Sequence, residues 1–237
     1  MKLVAFGDSF VEGLIKEPYE NSFENRKEIN FVSQLIKLDN CFTEAENHGR
    51  RGSSNERIAY EAYKRLKHSY SDCFFLVSWS GIERQEIYNI KQDKYEYQKV
   101  KHWPEKNLKF QSEMFMISLH QIFKYYKIPH AFVNAFQPLQ NSNKIFDTEF
   151  FQSMNYINPD FLRNTLFDII SNRYGKDISI PAEEQYMNHD YFKVEKSKYI
   201  ADCLHPSKEG HKLIAETLNP YLENLLDKQS KEYNINL

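Results

Sequence analysis

The run at residues 73–79 is apolar at every position except Ser78, and it limits the possible folds more than any other segment of the chain. A run of this kind is typical of a strand that is covered on both faces of its sheet. Such strands occur in parallel sheets, where helices connect one strand to the next and cover both faces. The run therefore predicts a buried central strand in an α/β fold.

In the rest of the chain, predicted strands alternate with predicted helices, as a parallel sheet requires. Two further apolar segments are predicted as strands at residues 2–6 and 128–135, and residues 41–47 are a short candidate strand. Segments with apolar residues at helical spacing are predicted as helices at residues 30–38, 54–66, 105–126 and 206–226. This alternation predicts a three-layer α/β/α sandwich with a central parallel sheet.

The length of 237 residues favours one large domain over two small ones. We predict a single domain over residues 1–227, with insertions around residues 86–104 and 137–200 that fit the layered pattern poorly. A last short strand is expected near residues 178–180. Residues 228–237 are polar and are predicted to form a frayed tail.

Charge and hydropathy argue against several classes of partner. The formal net charge of −2 gives no reason to expect nucleic acid or an anionic membrane as a partner. No apolar run approaches the length of a membrane span and no signal peptide is visible, so we expect a cytoplasmic or virion-associated protein. The three cysteines form neither a metal spacing nor an even disulfide set, and we expect reduced thiols.

Two short motifs near the ends of the chain carry catalytic residue types. Ser9 follows the first predicted strand in Gly7-Asp8-Ser9, and Asp202 precedes His205 shortly before the last predicted helix. An imidazole can accept the proton of a serine hydroxyl, and a carboxylate can fix the tautomer of that imidazole. Ser9, His205 and Asp202 are therefore candidates for a nucleophile, a base and an orienting group. The alternative is that Asp8 or Ser9 only caps the following helix.

These motifs and their order along the chain resemble the SGNH (GDSL-type) hydrolase superfamily. The matching blocks are Phe6-Gly7-Asp8-Ser9-Phe10, Asn47-His48-Gly49-Arg50-Arg51-Gly52-Ser53 and Asp202-Cys203-Leu204-His205-Pro206. The resemblance implies a flavodoxin-like sheet with Ser9 as the nucleophile, His205 as the base and Asp202 as the carboxylate that orients it. It also implies that the backbone N–H of Ser9 donates to the oxyanion.

The second block carries the glycine whose N–H is the next oxyanion donor in this superfamily. Spacing from Asn47 favours Gly52 over Gly49 for this role. The alternative is that the block is an ordinary turn between a strand and a helix. Arg50 and Arg51 are either solvated surface residues or line the mouth of the site for an anionic substrate.

The third block departs from the pattern of the superfamily. An asparagine whose side chain is the third oxyanion donor is expected there, and Ile82 aligns near its position. Losing such a donor costs about a hundredfold to a thousandfold in rate. Ser80 is our candidate for a substitute donor, and Arg84 for a substitute or a substrate-binding residue. The pattern Trp-Ser-x-x-x-Arg at residues 79–84 is similar to divergent, phage-encoded relatives.

A metal site is a weaker interpretation of the last block. Asp202, His205 and His211 could act as ligands, but no fourth ligand has a fitting spacing, so we predict no metal. His211 is expected to pack within the last helix. No glycine-rich phosphate loop is present, and no cofactor is expected.

The resemblance implies a serine ester hydrolase that acts on a small acyl ester, with O-acetylated carbohydrate as the leading substrate class. A different interpretation is a carbohydrate-binding or structural protein that keeps the fold with a degraded site, as the third block suggests. Acyl transfer to another acceptor is a third possibility. The sequence leaves the oligomeric state open.

Overall fold

The computed structural model describes residues 1–13, 28–38, 41–81, 84–89, 91–92, 94–98, 105–135, 165–171, 198–200 and 205–235. The strands are β1 (Lys2–Gly7), β2 (Glu44–Gly49), β3 (Cys73–Trp79), β4 (Gln85–Asn89), β5 (Lys94–Gln98) and β6 (His130–Asn134). The helices are α1 (Ser9–Glu12), α2 (Phe31–Leu35), α3 (Asn55–Arg65), α4 (Glu105–Tyr125), α5 (Leu166–Ile170) and α6 (Lys208–Tyr233).

Four parallel strands form the central sheet in the order β2-β1-β3-β6. Strand β3 is buried at all seven positions, because both of its faces are covered as its apolar run predicts. The chain leaves β1 first toward β2 and later returns to β3 on the other side of β1. This reversal of strand order opens a crevice beyond the carboxyl ends of β1 and β3, where ligands of such sheets bind.

The helices form two groups around the sheet. Helices α2 and α5 pack against α6, whereas α3 packs against α4. Their apolar faces and the strands form one core cluster that includes Phe6, Phe75, Leu119 and Leu218. The predicted α/β sandwich with a parallel central sheet is thus confirmed.

Local sequence explains where the helices begin. The side chain of Asn30 accepts a hydrogen bond from the N–H of Ser33 at the start of α2, and Ser54 and Ser207 cap α3 and α6 in the same way. These caps satisfy N–H groups that have no partner within the helix. The predicted strand at 41–47 is displaced, since β2 begins at Glu44 and ends at Gly49, opposite Gly7 of β1.

The prediction of a frayed tail after residue 227 is wrong. Helix α6 continues through Tyr233, and Gln229 is only 1% exposed. The amide group of Gln229 accepts from the N–H of His130 at 2.7 Å and donates to the carbonyl of His130 at 2.8 Å. Gln229 thus ties the extended part of the helix to the backbone of β6.

The two predicted insertions differ in how much of them is described. Strands β4 and β5 form an antiparallel hairpin outside the central sheet, within the first insertion at 86–104. Of residues 137–200, the structure describes helix α5 and its flanks at 165–171 and a short stretch at 198–200. The strand expected near 178–180 lies outside the described residues. None of the helices in the described part combines the length and the hydropathy that a membrane-spanning helix needs.

Three histidines are buried in the core as neutral rings. His130 Nδ1 donates to the carbonyl of Ile128 at 2.8 Å, so its Nε2 accepts from Nδ1–H of His120 at 2.9 Å. Burial lowers the pKa of His120 to about 4 and the pKa of His130 to about 3. Burial also lowers the pKa of His211 to about 3. Below about pH 6.5 these three histidines are therefore protonated in the unfolded chain but remain neutral in the folded protein.

Acid should destabilise this fold through these histidines. A native pKa below the unfolded value gives stability that is complete above about pH 6.5 and is lost as pH falls toward the native pKa. Each such histidine adds a slope of about 1.4 kcal/mol per pH unit to the free energy of unfolding in this window. Urea unfolding at several pH values between 7 and 5 measures the slope.

Substitution isolates one of these contributions. His211→Asn keeps an acceptor for the N–H of Phe31. It should lower the slope of the free energy of unfolding by about 1.4 kcal/mol per pH unit, which corresponds to one bound proton fewer in the unfolded chain. The matched control is His68→Asn, at an exposed histidine, which should leave the slope unchanged. An identical slope in His211→Asn and in the parent protein would contradict this account of the buried rings.

Candidate active site

Ser9 lies where the carboxyl end of β1 meets the first turn of α1. Asp8 caps this four-residue helix by accepting from the N–H of Phe10 at 3.0 Å, and Gly13 ends it in the left-handed conformation with φ 83°. Gly7 is needed before them, because a Cβ at that position would lie 2.3 Å from Cγ2 of Val11. Asp8 therefore caps α1, and Ser9 is the first residue of that helix.

The structure brings the first and the last sequence motif together. Nε2 of His205 lies 2.7 Å from Oγ of Ser9, although the two residues are 196 positions apart. The imidazole ring also contacts Phe10, with 5.8 Å between the ring centroids. Ser9 is only 2% exposed, so the hydrogen bond forms in a site with little water. An imidazole at this distance can accept the hydroxyl proton.

The two residues between His205 and α6 hold His205 in position. Pro206 pairs with Ile200 in an isolated bridge, and the N–H of Ser207 donates to the carbonyl of Tyr199 at 2.9 Å. Ser207 then caps α6 through the N–H of Gly210 at 3.1 Å. Asp202 and Cys203 lie outside the described residues.

His211 is a packing residue, as the sequence predicts. It is fully buried, and its Nδ1 accepts from the N–H of Phe31 at 3.2 Å. This bond ties the start of α2 to the first turn of α6. In the described part of the chain, no three His, Cys, Asp or Glu side chains gather in a cluster that could hold a metal ion.

The two glycines of the second block have different structural roles. A Cβ on Gly49 would lie 2.3 Å from the backbone N of Glu12, so Gly49 allows the end of β2 to pack against α1. Gly52 has φ +74°, and a Cβ there would meet no atom of the described residues within 4 Å. The role of Gly52 as an oxyanion donor stays a prediction from the spacing.

Several hydrogen bonds hold the turn with Gly52 beside α1. The N–H of Arg50 donates to the carbonyl of Gly7 at 3.0 Å, and the N–H of Arg51 donates to the carboxylate of Glu12 at 2.6 Å. The side chain of Asn47 donates to the carbonyl of Val11 at 2.7 Å. These contacts connect the turn to residues on both sides of Ser9, so the turn keeps a fixed position relative to the backbone at Ser9.

Ser80 does not have the role that the sequence suggested. Its hydroxyl donates to Oδ2 of Asp8 at 2.9 Å, and its N–H donates to Oδ1 of Asn55 at 2.8 Å. Both donors of Ser80 are thus used within the fold, and Ser80 is only 3% exposed. The expectation that Ser80 substitutes for the missing oxyanion asparagine is corrected: it anchors Asp8.

Arg84 also binds Asp8 rather than projecting toward solvent. Its Nη1 lies 2.9 Å from Oδ2 of Asp8, whose side chain is fully buried. A buried carboxylate needs a partner of opposite charge, and Arg84 provides one. Arg84 thus holds Asp8, and its expected role as a substitute oxyanion donor or a substrate-binding residue stays a prediction. Ile82 lies outside the described residues.

Asn55 is a structural residue that the sequence interpretation missed. Its Nδ2 donates to the carbonyl of Ser80 at 3.2 Å and to Oγ of Ser112 at 3.1 Å, and its Oδ1 accepts from the N–H of Ser80. One side chain thus joins the turn after β2 to the turn after β3 and to α4. The only signal in the sequence is an asparagine that directly follows the serine cap of α3.

A buried ion pair attaches the hairpin to the same turn. The carboxylate of Glu86 accepts from the N–H of Ser54 at 2.6 Å and from Nη1 of Arg57 at 2.7 Å. Glu86 is 5% exposed and Arg57 is 6% exposed. The guanidinium of Arg57 also lies over the ring of Tyr95, 5.3 Å from its centroid. The hairpin therefore supports the residues that follow Gly52.

Similar folds occur among solved structures of low sequence identity. An acetylxylan esterase from Geobacillus stearothermophilus, a catalytic mutant of Axe2, has a TM-score of 0.46 at 15% identity, with 93% of each chain covered. A carbohydrate acetylesterase family member from Sinorhizobium meliloti has a TM-score of 0.46 at 11% identity, with 95% of this chain and 99% of that chain covered. The aryl esterase of M. smegmatis has a TM-score of 0.45 at 12% identity, with the same coverage. The comparison with curated proteins finds no matching sequence.

The sequence itself matches one protein family over most of its length. The family is described as GDSL-like lipase/acylhydrolase, and the match covers residues 3–218. This range contains Ser9, Gly52 and His205, and it confirms the resemblance that the sequence blocks predicted. The chain belongs to the GDSL-like lipase/acylhydrolase family and is an esterase.

Proposed function

We propose that this esterase hydrolyses a small acyl ester through an acyl-serine intermediate on Ser9. The observation that carries the proposal is the 2.7 Å contact between Nε2 of His205 and Oγ of Ser9. A serine hydroxyl is a weak nucleophile at neutral pH, and a neutral imidazole in hydrogen-bond contact activates it. The burial of Ser9 strengthens that interaction, because little water competes for either group.

The reaction follows from these positions in two halves. Oγ of Ser9 attacks the acyl carbonyl carbon while Nε2 of His205 takes the hydroxyl proton. The C–O bond to the alcohol then breaks, and His205 gives the proton to the leaving alkoxide oxygen. In the second half His205 takes a proton from a water, which attacks the acyl carbon. The bond between that carbon and Oγ of Ser9 then breaks, the carboxylic acid leaves, and His205 returns the proton to Oγ. Asp202 is proposed to accept from Nδ1–H of His205 and to hold the tautomer that this requires.

The N–H groups of Ser9 and Gly52 are proposed to stabilise the oxyanion. Ser9 is the first residue of α1, so its N–H has no carbonyl partner within that helix. The positive end of the helix adds to the stabilisation of negative charge. Gly52 is proposed as the second donor because of its spacing from Asn47 in the second block. Because Ser80 is engaged with Asp8 and Asn55, the proposed hole uses backbone donors.

The substrate we propose is a small acyl ester, with O-acetylated carbohydrate as the first class to examine. This ranking follows the resemblance to the superfamily rather than any single residue. The second candidate function is a carbohydrate-binding or structural protein with a degraded site. It is favoured by one observation, namely that the hydroxyl and N–H of Ser80 are both used within the fold.

Hydrolysis of p-nitrophenyl acetate tests the nucleophile. Ser9→Ala should lower kcat/KM roughly 10³-fold or more, because Ser9 supplies the oxygen of the proposed acyl intermediate. His205→Gln should cause a loss of similar size, since the two residues act as one unit. The matched control is Ser71→Ala, at an exposed serine, which should retain the parent rate. Equal rates in the parent and in Ser9→Ala would favour the non-catalytic candidate.

A second test concerns Arg84. If this residue holds Asp8, Arg84→Gln should lower kcat roughly tenfold to a hundredfold with a small change in KM, because the backbone at Ser9 is displaced. Arg84→Lys keeps a cation beside Asp8 and should recover part of the loss. Steady-state kinetics with p-nitrophenyl acetate measure both constants. An effect confined to KM would instead indicate that Arg84 contacts the substrate.

A further inference from the structure

The turn that carries Gly52 is held from two sides. It runs from Arg50 to Ser53, and the N–H of Ser53 donates to the carbonyl of Arg50 at 3.2 Å. Gly52 is its third residue and has φ +74°, as the third residue of a type II turn requires. On the first side, the N–H of Arg51 donates to the carboxylate of Glu12 in α1 at 2.6 Å. This contact fixes the first half of the turn relative to α1.

The second side of the turn is held by the β4–β5 hairpin, which lies outside the central sheet. Ser54 directly follows the turn and caps α3, and its N–H donates to Oε2 of Glu86 in β4 at 2.6 Å. Ser54 is 1% exposed and Glu86 is 5% exposed, so little water competes for this hydrogen bond. Glu86 thus fixes the point where the turn ends and α3 begins.

A buried ion pair fixes Glu86 itself. Its Oε1 accepts from Nη1 of Arg57 at 2.7 Å, and the guanidinium of Arg57 lies over the ring of Tyr95 in β5, 5.3 Å from its centroid. The desolvation of two buried charges largely offsets their attraction, so such a pair adds little stability over apolar residues of similar volume. The pair instead fixes the orientation of the carboxylate, because one oxygen binds the guanidinium and the other binds the backbone after the turn.

We propose that Glu86 is a positioning residue for the esterase reaction, which holds the N–H of Gly52 at the place where the oxyanion forms. The inference rests on the proposed function, since it requires Gly52 as an oxyanion donor. Such donors act only over a narrow range of distance, and a misplacement of about 1 Å can cost about a hundredfold in rate. Through Glu86 the hairpin has a part in the reaction although it belongs to neither the sheet nor its helix layers.

The contribution of Glu86 should therefore change kcat and not KM. The oxyanion exists in the tetrahedral state and not in the bound ester, so a displaced donor weakens binding of the transition state and leaves binding of the ester nearly unchanged. A residue that only stabilised the fold would change the free energy of unfolding and leave kcat of the folded protein at the parent value.

Two double variants form a matched pair that tests this role. Arg57→Met with Glu86→Gln removes both charges and keeps an acceptor for the N–H of Ser54. Arg57→Met with Glu86→Leu also removes both charges and fills a similar volume, but it has no acceptor. With p-nitrophenyl acetate, the variant with Glu86→Leu should have a kcat roughly tenfold or more below that of the variant with Glu86→Gln, and a KM within about twofold of it. Equal kcat values in the two folded variants would overturn the proposal.

A third variant decides the case if the apolar pair does not fold. Glu86→Asp keeps a negative charge beside Arg57, but its side chain is one methylene shorter and cannot reach both Arg57 and Ser54 at their present positions. Its kcat should therefore fall below the parent value. The matched control is Glu61→Gln, at a carboxylate of α3 that pairs with Lys64, and it should retain the parent kcat. A parent kcat in Glu86→Asp would contradict the proposal.

Glycine-selective nitrogen-15 labelling separates this inference from the proposed function, because it needs no turnover. The chain has seven glycines, so the amide signal of Gly52 can be assigned by its absence in Gly52→Ala. Glu86→Leu with Arg57→Met should shift or broaden this signal, whereas Glu86→Gln with Arg57→Met should retain it. An unchanged signal in both would overturn the positioning role. Equal rates of hydrolysis in the parent and in Ser9→Ala would overturn the proposed function, and the signal would still decide whether Glu86 holds the turn.

Discussion

The hydrogen bond between Ser9 and His205 is the interaction on which the functional account depends. It joins the first residue of α1 to a residue that precedes α6, so it forms only when the two ends of the fold come together. The strand order β2-β1-β3-β6 places Ser9 at the reversal point of the sheet, where neighbouring chain segments diverge. The short helix α1 and the cap of α6 then fix the two side chains in contact.

A buried polar network holds the backbone around that contact. Asp8 accepts from Phe10, Ser80 and Arg84, and Asn55 bonds both backbone groups of Ser80. The turns after β1, β2 and β3 are therefore joined by the buried side chains of Asp8, Asn55 and Ser80, together with Arg84, whose side chain is 19% exposed. Each donor and acceptor in such a network fixes its neighbours, which gives the geometric precision that catalysis needs. Ser80 and Arg84 of the atypical third block thus anchor Asp8.

Much of this architecture could be predicted from sequence, because apolar periodicity and caps are local signals. The buried strand at 73–79 and the caps at Ser54 and Ser207 are examples. The errors arise where a polar side chain has a distant partner. Gln229 in the extended part of α6 bonds the backbone of His130, and Ser80 faces Asp8 rather than the cleft. Sequence patterns identify donors and acceptors but do not say which groups meet in space, and Asn55 was missed for that reason.

The most direct test of the account is covalent labelling with a fluorophosphonate, followed by peptide mapping with mass spectrometry. Such a reagent reacts with a serine whose hydroxyl is activated by a neighbouring base. The account predicts one adduct, on the peptide that contains Ser9, and its loss in His205→Gln. A parent protein that remains unlabelled at Ser9, or that is labelled equally well without His205, would contradict the central claim.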